Sequence, residues 1–136
     1  MFALTLHQPW ASLIASGHKH CETRGWGTSY RGPLAIHAGR QVSQKKEREF
    51  LEDLLVDFRL TGLPSPWTLP RGAIVAVCEL SACWRMTAAT IAEQSALEQA
   101  LGGWSPGRFA WCLKDIHPVV PPIPAVGSYK LWYWRR

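Results

Sequence analysis

Ala73-Ile74-Val75-Ala76-Val77-Cys78-Glu79-Leu80 is the stretch on which the fold turns. It is apolar at nearly every position and rich in β-branched residues, and a run of this kind is buried on both faces, as in a central strand. With Gly72 in front and the pattern continuing to Trp84, it predicts a strand that crosses the core. Upstream, Thr61 to Arg71 carries Gly62, Pro64, Pro66 and Pro70, which neither continue a helix nor sit in a central strand, so a loop is expected there, placed to act as a lid. Before it, Phe50, Leu54 and Phe58 recur at helical spacing from Ser43 to about Leu60, with the charged residues largely on other faces, the mark of an amphipathic helix.

Further out, Phe2 to Leu6 and Pro33 to Ala38 read as strands, Lys19 to Arg24 as an extended segment, and Gly25 to Gly32 as a loop. Gln8-Pro9-Trp10 opens a brief helix that runs to about Ala15, with Gly17 after its end. Downstream, a single helix is expected over Thr90 to Leu101, stopped by Gly102-Gly103. Strands follow at about Arg108 to Leu113 and Lys130 to Trp134, joined by an extended connector with Pro118, Pro121, Pro122 and Pro124. Five or six strands with two or three packed helices, and no regular alternation, exclude a doubly wound parallel sheet. They indicate an α+β chain built as a small, partly open, mixed β-barrel.

The chain has 136 residues, enough for one hydrophobic core, and a single domain over residues 1–136 is expected. Apolar residues at 47% against 18% charged exclude a disordered chain. No apolar run approaches the roughly 20 residues that span a bilayer, and the opening residues lack a signal-peptide pattern, so no membrane partner and a cytoplasmic location are expected. Cys21, Cys78, Cys83 and Cys112 form no metal-ligand spacing and read as small buried hydrophobes; neither a metal nor a cofactor is implied. The net charge of +5 suits an anionic partner.

Chemistry concentrates in Gly17-His18-Lys19-His20-Cys21-Glu22-Thr23-Arg24. Side chains alternate along an extended segment, so Glu22 and Arg24 share a face, and a bend at the strand start brings Lys19 to them. Lysine, carboxylate and arginine then form a polar nook, or else a salt-bridged strand edge that binds nothing. A second carboxylate is available from Glu98 or Glu79. Eight tryptophans offer stacking platforms for unpaired bases. Trp26 and Trp104, in glycine-flanked segments, are candidates to line the cleft, with Trp67 a weaker third, whereas Trp84, Trp111 and Trp132 read as core. Arg31, Arg40 and Arg108, with Lys45 and Lys46, are candidate phosphate contacts, Arg108 foremost, and His37 ends its strand near the cleft. No Ser/His/Asp order, phosphate loop or metalloprotease motif is present.

Gln8-Pro9-Trp10, Gly17, Lys19, Glu22, Arg24 and Arg31-Gly32-Pro33-Leu34 leading to Ile36-His37-Ala38 together resemble the ASCH domain, named for homology to the activating signal cointegrator. The resemblance is clearest from Leu4 to Arg40 and continues more loosely through Gly72 to Val77 and Trp104 to Trp111. It implies a PUA-like barrel with a cleft that binds RNA, and it adds Gln8 and Trp10 to the candidate ligand contacts. Some small relatives are similar to amidohydrolases that deacetylate acetylcytidine, and others are linked to ribonuclease activity. Lys19 matches the lysine of the amidohydrolase site, while Glu22 stands where that subgroup has its catalytic threonine. Glu22 cannot act as an alkoxide nucleophile, but it can act as a general base or as an acceptor for a base edge. Three readings follow. The first is a binding domain for RNA, single-stranded nucleic acid or a nucleotide, which uses a basic cleft; the second is a hydrolase acting on RNA or a modified nucleoside, with Lys19 and Glu22 as proton-transfer pair; the third is a protein-interaction module anchored by exposed tryptophans.

Overall fold

A computed structural model of the chain describes residues 1–41, 45–65 and 68–136. In chain order the elements are β1 (Phe2–Leu6), α1 (Trp10–Ala15), β2 (Cys21–Arg24), β3 (Gly32–Ala38), α2 (Lys45–Asp57), β4 (Ala73–Arg85), α3 (Ala88–Ala92), α4 (Ala96–Ala100), β5 (Phe109–Pro124) and β6 (Leu131–Tyr133). The strands form one six-stranded mixed sheet in the order β2-β5-β4-β3-β1-β6. The β1–β3 pair is parallel and the other ladders are antiparallel.

As its apolar run predicts, β4 lies in the middle of the sheet, between β3 and β5. The register breaks along β4 and β5, and such bulges strengthen the twist that curls a sheet towards a barrel. The curl shows directly in one contact. Arg24 on edge strand β2 donates from Nη2 to the Thr5 carbonyl of β1 at 2.8 Å, although three strands lie between them in the sheet order.

The concave face holds Leu4, Leu6, Leu34, Ile36, Val75, Leu80 and Trp111, closed by Ala11 and Ile14 of α1. The other face of α1 supplies Leu13 to a helical layer with Leu51 and Leu54 of α2, Leu69 and Leu101. A smaller cluster of Ala3, Ala35, Ile74 and Trp134 covers the convex face.

Two expectations need correction. The segment expected as one helix over Thr90 to Leu101 forms two short helices, because Ser95 caps the second by accepting from the Glu98 amide at 3.1 Å. With α1 and α2 the described residues hold four helices. The proline-rich connector is strand: β5 runs from Phe109 to Pro124 and pairs Pro118 with Ala76 and Pro124 with Ala73. Beyond Cys112, β5 has left the β2 ladder and pairs only with β4, so prolines are tolerated on its free side. The expected start of the longer helix at Ser43 lies outside the described residues, and the described part begins at Lys45. Among the described residues no helix is long and apolar enough to cross a membrane.

Candidate functional site

Gly17 ends α1 with φ +82°, a left-handed conformation that suits glycine, and the His18 and Lys19 amides both turn back to the Leu13 carbonyl at 3.0 Å. That reversal drives Lys19 inward, where it is only 1% exposed. Its ammonium donates to the Leu101 carbonyl at the end of α4, sits 5.5 Å from the Trp10 ring centre and lies 3.6 Å from Glu22 Oε1. A helix end offers carbonyls with no partner inside the helix, which suits a cation. Burial nevertheless lowers the Lys19 pKa, with Glu22 and Glu98 opposing the shift by their charge.

Glu22 faces the same interior as Trp111, its ladder partner on β5. Its Oε1 accepts from the Thr23 amide at 3.0 Å, and its Oε2 takes both Nε and Nη2 of Arg24 at 3.0 Å. The sequence expectation that Lys19, Glu22 and Arg24 meet is what the geometry shows. They line a hollow of about 530 Å³ together with Thr5, His7, Trp10, Thr23, Phe50 and the turn Ala100–Gly103. Two cations face one carboxylate, and Trp10 and Phe50, with ring centres 5.5 Å apart, form an aromatic wall.

Other candidate residues lie elsewhere. Gln8 is buried; its amide binds Ser12 and the Pro70 carbonyl, so it caps α1 instead of facing the hollow. Trp26 packs edge-on against Trp111 at 4.9 Å, and its carbonyl accepts from the Trp111 indole. Trp104 donates to the Glu98 carbonyl at 2.8 Å and leans on Trp84. Arg108 donates to the Gly103 and Thr23 carbonyls and so rivets the turn behind the hollow. Arg31 is spent on the carbonyls of Thr28, Tyr30 and Cys83. Glu98 accepts from the His20 amide and reaches Lys19 only by its field. Trp67 lies outside the described residues.

Every described tryptophan is half-buried or buried. Loop position suggested free indoles, but these rings supply core area that so small a barrel needs. Sequence reasoning missed Thr5, His7, Thr23 and Phe50. Phe50 carried a signal, since the apolar periodicity of α2 marks it, but only packing shows that it projects beside Trp10 and stays 38% exposed.

His37 lies on the convex side, with Nδ1 paired to Thr5 Oγ1 at 3.0 Å and Nε2 to the Ala125 carbonyl at 2.7 Å. Burial lowers its pKa, and the nearby Arg40 charge lowers it further. It lines a second hollow of about 550 Å³ that shares Thr5, His7 and Arg24 with the first. A third groove, of about 620 Å³ between α1 and the prolines of β5, has no charged residue in its lining. Among the described residues no cluster of His, Cys, Asp or Glu is arranged to hold a metal ion. Cys21 and Cys78 are buried, whereas Cys112 is half-buried and faces its ladder partner Cys21. The Cys21 thiol and the Trp84 indole both hydrogen-bond Cys112 and bring its pKa down to about 7 against the cost of burial.

A family model described as the ASCH domain, a family associated with RNA binding, matches residues 4–122. The chain is 28% identical over 136 residues to activating signal cointegrator 1 of Homo sapiens and 28% identical over 133 residues to that of Mus musculus. Each match covers 96% of this chain but only 22% of the relative's length. Among solved structures, the ASCH protein of Zymomonas mobilis superposes with a TM-score of 0.61 at 16% identity, covering 99% of this chain and 87% of that one. A point variant of the same protein gives a TM-score of 0.57. At that identity the superposition speaks to the fold alone, and it agrees with the curled six-stranded sheet. With the family model spanning most of the sequence, the chain belongs to the ASCH domain family.

Proposed function

We propose that this domain binds single-stranded RNA by taking one nucleotide into the hollow around Lys19, Glu22 and Arg24. The observation that carries this reading is the composition of that hollow: two cations on one carboxylate, beside the aromatic wall of Trp10 and Phe50. The surplus positive charge suits a phosphate, the part-exposed Phe50 ring suits a base face, and the Glu22 carboxylate offers an acceptor to an amino edge.

The test is fluorescence anisotropy of labelled single-stranded oligoribonucleotides across a salt series. Binding should weaken as salt rises, and Phe50→Ala should lower affinity about tenfold, within the stacking contribution of roughly 1–3 kcal/mol per base. Salt-independent retention, or equal affinity for the native protein and Phe50→Ala, overturns the proposal.

One observation favours a second reading, hydrolysis of a modified nucleoside. A lysine whose pKa is lowered by burial is the usual companion of proton transfer, and Lys19 is such a lysine. Against it, Glu22 is held by Arg24 and by the Thr23 amide, which makes it a better acceptor than base. Release of acetate from acetylcytidine, lost in Lys19→Met, would decide for the enzyme; no release decides for the binder.

A further inference from the structure

The second hollow has a one-sided charge. Gly39 and Arg40, just beyond β3, form one side, and the segment Val126–Lys130 before β6 forms the other. Arg24, Arg40 and Lys130 line it, and no acidic residue does. Arg24 is balanced by Glu22, but among the described residues neither Arg40 nor Lys130 forms an ion pair. The Lys130 ammonium instead rests 5.7 Å from the Trp26 ring centre, exposed to solvent.

The floor is neutral and fixed. Both His37 ring nitrogens are hydrogen-bonded, and Trp132 donates to Thr5 Oγ1 at 3.0 Å. The wall is seated tightly on that floor: a Cβ at Gly127 would lie 2.7 Å from the His37 ring and from Thr5 Oγ1. At the rim the Tyr129 ring is 94% exposed, a large aromatic surface with nothing covering it beside two unpaired cations.

Unpaired guanidinium and ammonium groups without carboxylates select an anion, and a guanidinium fits phosphate oxygens in a bidentate fork. An open aromatic ring beside such charges is the arrangement by which single strands are tracked, with the backbone on the cations and a base on the ring. Arg24 is common to both hollows, so a strand entering the first continues into the second without leaving the surface. We infer that the second hollow is the phosphate track for the nucleotides next to the one held in the first: Arg40 and Lys130 grip the backbone, and Tyr129 stacks an adjoining base. This assignment rests on the RNA-binding reading of the first hollow.

The experiment compares a labelled mononucleotide with single-stranded oligoribonucleotides of increasing length, on native protein and on two variants at exposed positions. In the native protein affinity should rise with length. In the double variant Arg40→Gln/Lys130→Gln the salt dependence for the longer strands should become shallower by about 1.4 in log–log slope, about 0.7 for each phosphate that is no longer neutralised. Tyr129→Ala should weaken the longer strands about tenfold. Mononucleotide binding should be unchanged in both, and circular dichroism melting should confirm that both fold. A double variant with the native salt slope on long strands overturns the track while leaving the first hollow intact. Failure of the native protein to bind either ligand overturns the RNA reading and the track with it. A polyglutamate peptide that binds as tightly as RNA and is lost in the same double variant overturns the phosphate assignment in favour of an acidic protein partner.

Discussion

Replacing Lys19 by methionine should stabilise the protein at neutral pH while removing the deepest charge of the site. Lys19 is 1% exposed, and burial is the largest influence on its pKa, outweighing the attraction of Glu22 and Glu98. Its ammonium has one close carbonyl partner, Leu101, and a looser contact with Glu22 at 3.6 Å, so its three donors are under-used. Methionine fills a similar volume without charge. The loss is the hydrogen bond to Leu101, about 1 kcal/mol. Glu22 is not orphaned, because Arg24 and the Thr23 amide still hold it. The gain is relief from a desolvated charge, and replacing buried ions by apolar groups of similar volume is neutral or stabilising by roughly 1–4 kcal/mol. The net expectation is a gain of about 1–2 kcal/mol, or a rise in Tm of about 3–6 °C for a domain of this size.

The sign of the pH dependence follows from the same shift. The folded-state pKa lies below the ordinary 10.5, so between the two values the unfolded chain carries a proton that the folded one does not. Native stability therefore rises with pH through that window, and the advantage of Lys19→Met is largest below it and shrinks towards pH 10.5. Urea denaturation followed by tryptophan fluorescence at neutral and alkaline pH measures both. A variant less stable than the native protein by more than about 1 kcal/mol at neutral pH, or a difference that ignores pH across the window, refutes the reasoning.

Cysteine alkylation followed by peptide mass spectrometry should find Cys112 the first to react, with a rate that climbs through pH about 7, and Cys78, pushed up to about 12 by burial, protected at neutral pH. Labelling of Cys112 that climbs only around pH 9.0, the ordinary thiol value, would deny the hydrogen bonds from Cys21 and Trp84. Gly127→Ala should destabilise by about 1–3 kcal/mol, as overpacking does, because its methyl meets the His37 ring and Thr5 at 2.7 Å. An unchanged urea midpoint would show that the wall of the second hollow is loose.

Local rules made part of this legible. The β4 strand announced itself through a continuous apolar run, and alternation along β2 put Glu22 and Arg24 on one face. Gly17 marked the end of α1, where the chain turns Lys19 towards them. What stayed hidden depends on distance in the sequence. Thr5 and His7 join the site only because the sheet curls until β2 meets β1, and no periodicity in either strand encodes that approach. Trp26 and Trp104 sit in loops, yet their indoles are drawn onto Trp111 and Trp84, since in a small barrel large rings serve the core first. The prolines of β5 argued against a strand, and they are admitted only because β2 is too short to cover that edge.

Both hollows open where the topology requires a gap. Among the described residues β1 and β3 are the one parallel pair, so both strands leave the sheet at the same end and diverge, from Leu6 towards α1 and from Ala38 towards α2. An antiparallel hairpin would seal such an end with its turn; a parallel pair leaves a crevice, which is why ligands in open α/β sheets gather at the carboxyl ends of strands. Here His7, which lines both hollows, follows β1, and Gly39 and Arg40, which line the second, follow β3, so the two hollows meet at the crevice. The curl of the sheet then carries β2 into that crevice and sets Arg24 between them. The two hollows differ in how their charge is held. Glu22 and Arg24 are fixed by the β2–β5 ladder, whereas Arg40 and Lys130 come from the segments that follow β3 and precede β6. On the proposed RNA-binding reading, selectivity for the ligand's chemistry would belong to the ladder, and grip along its length to loops that can change without disturbing the fold.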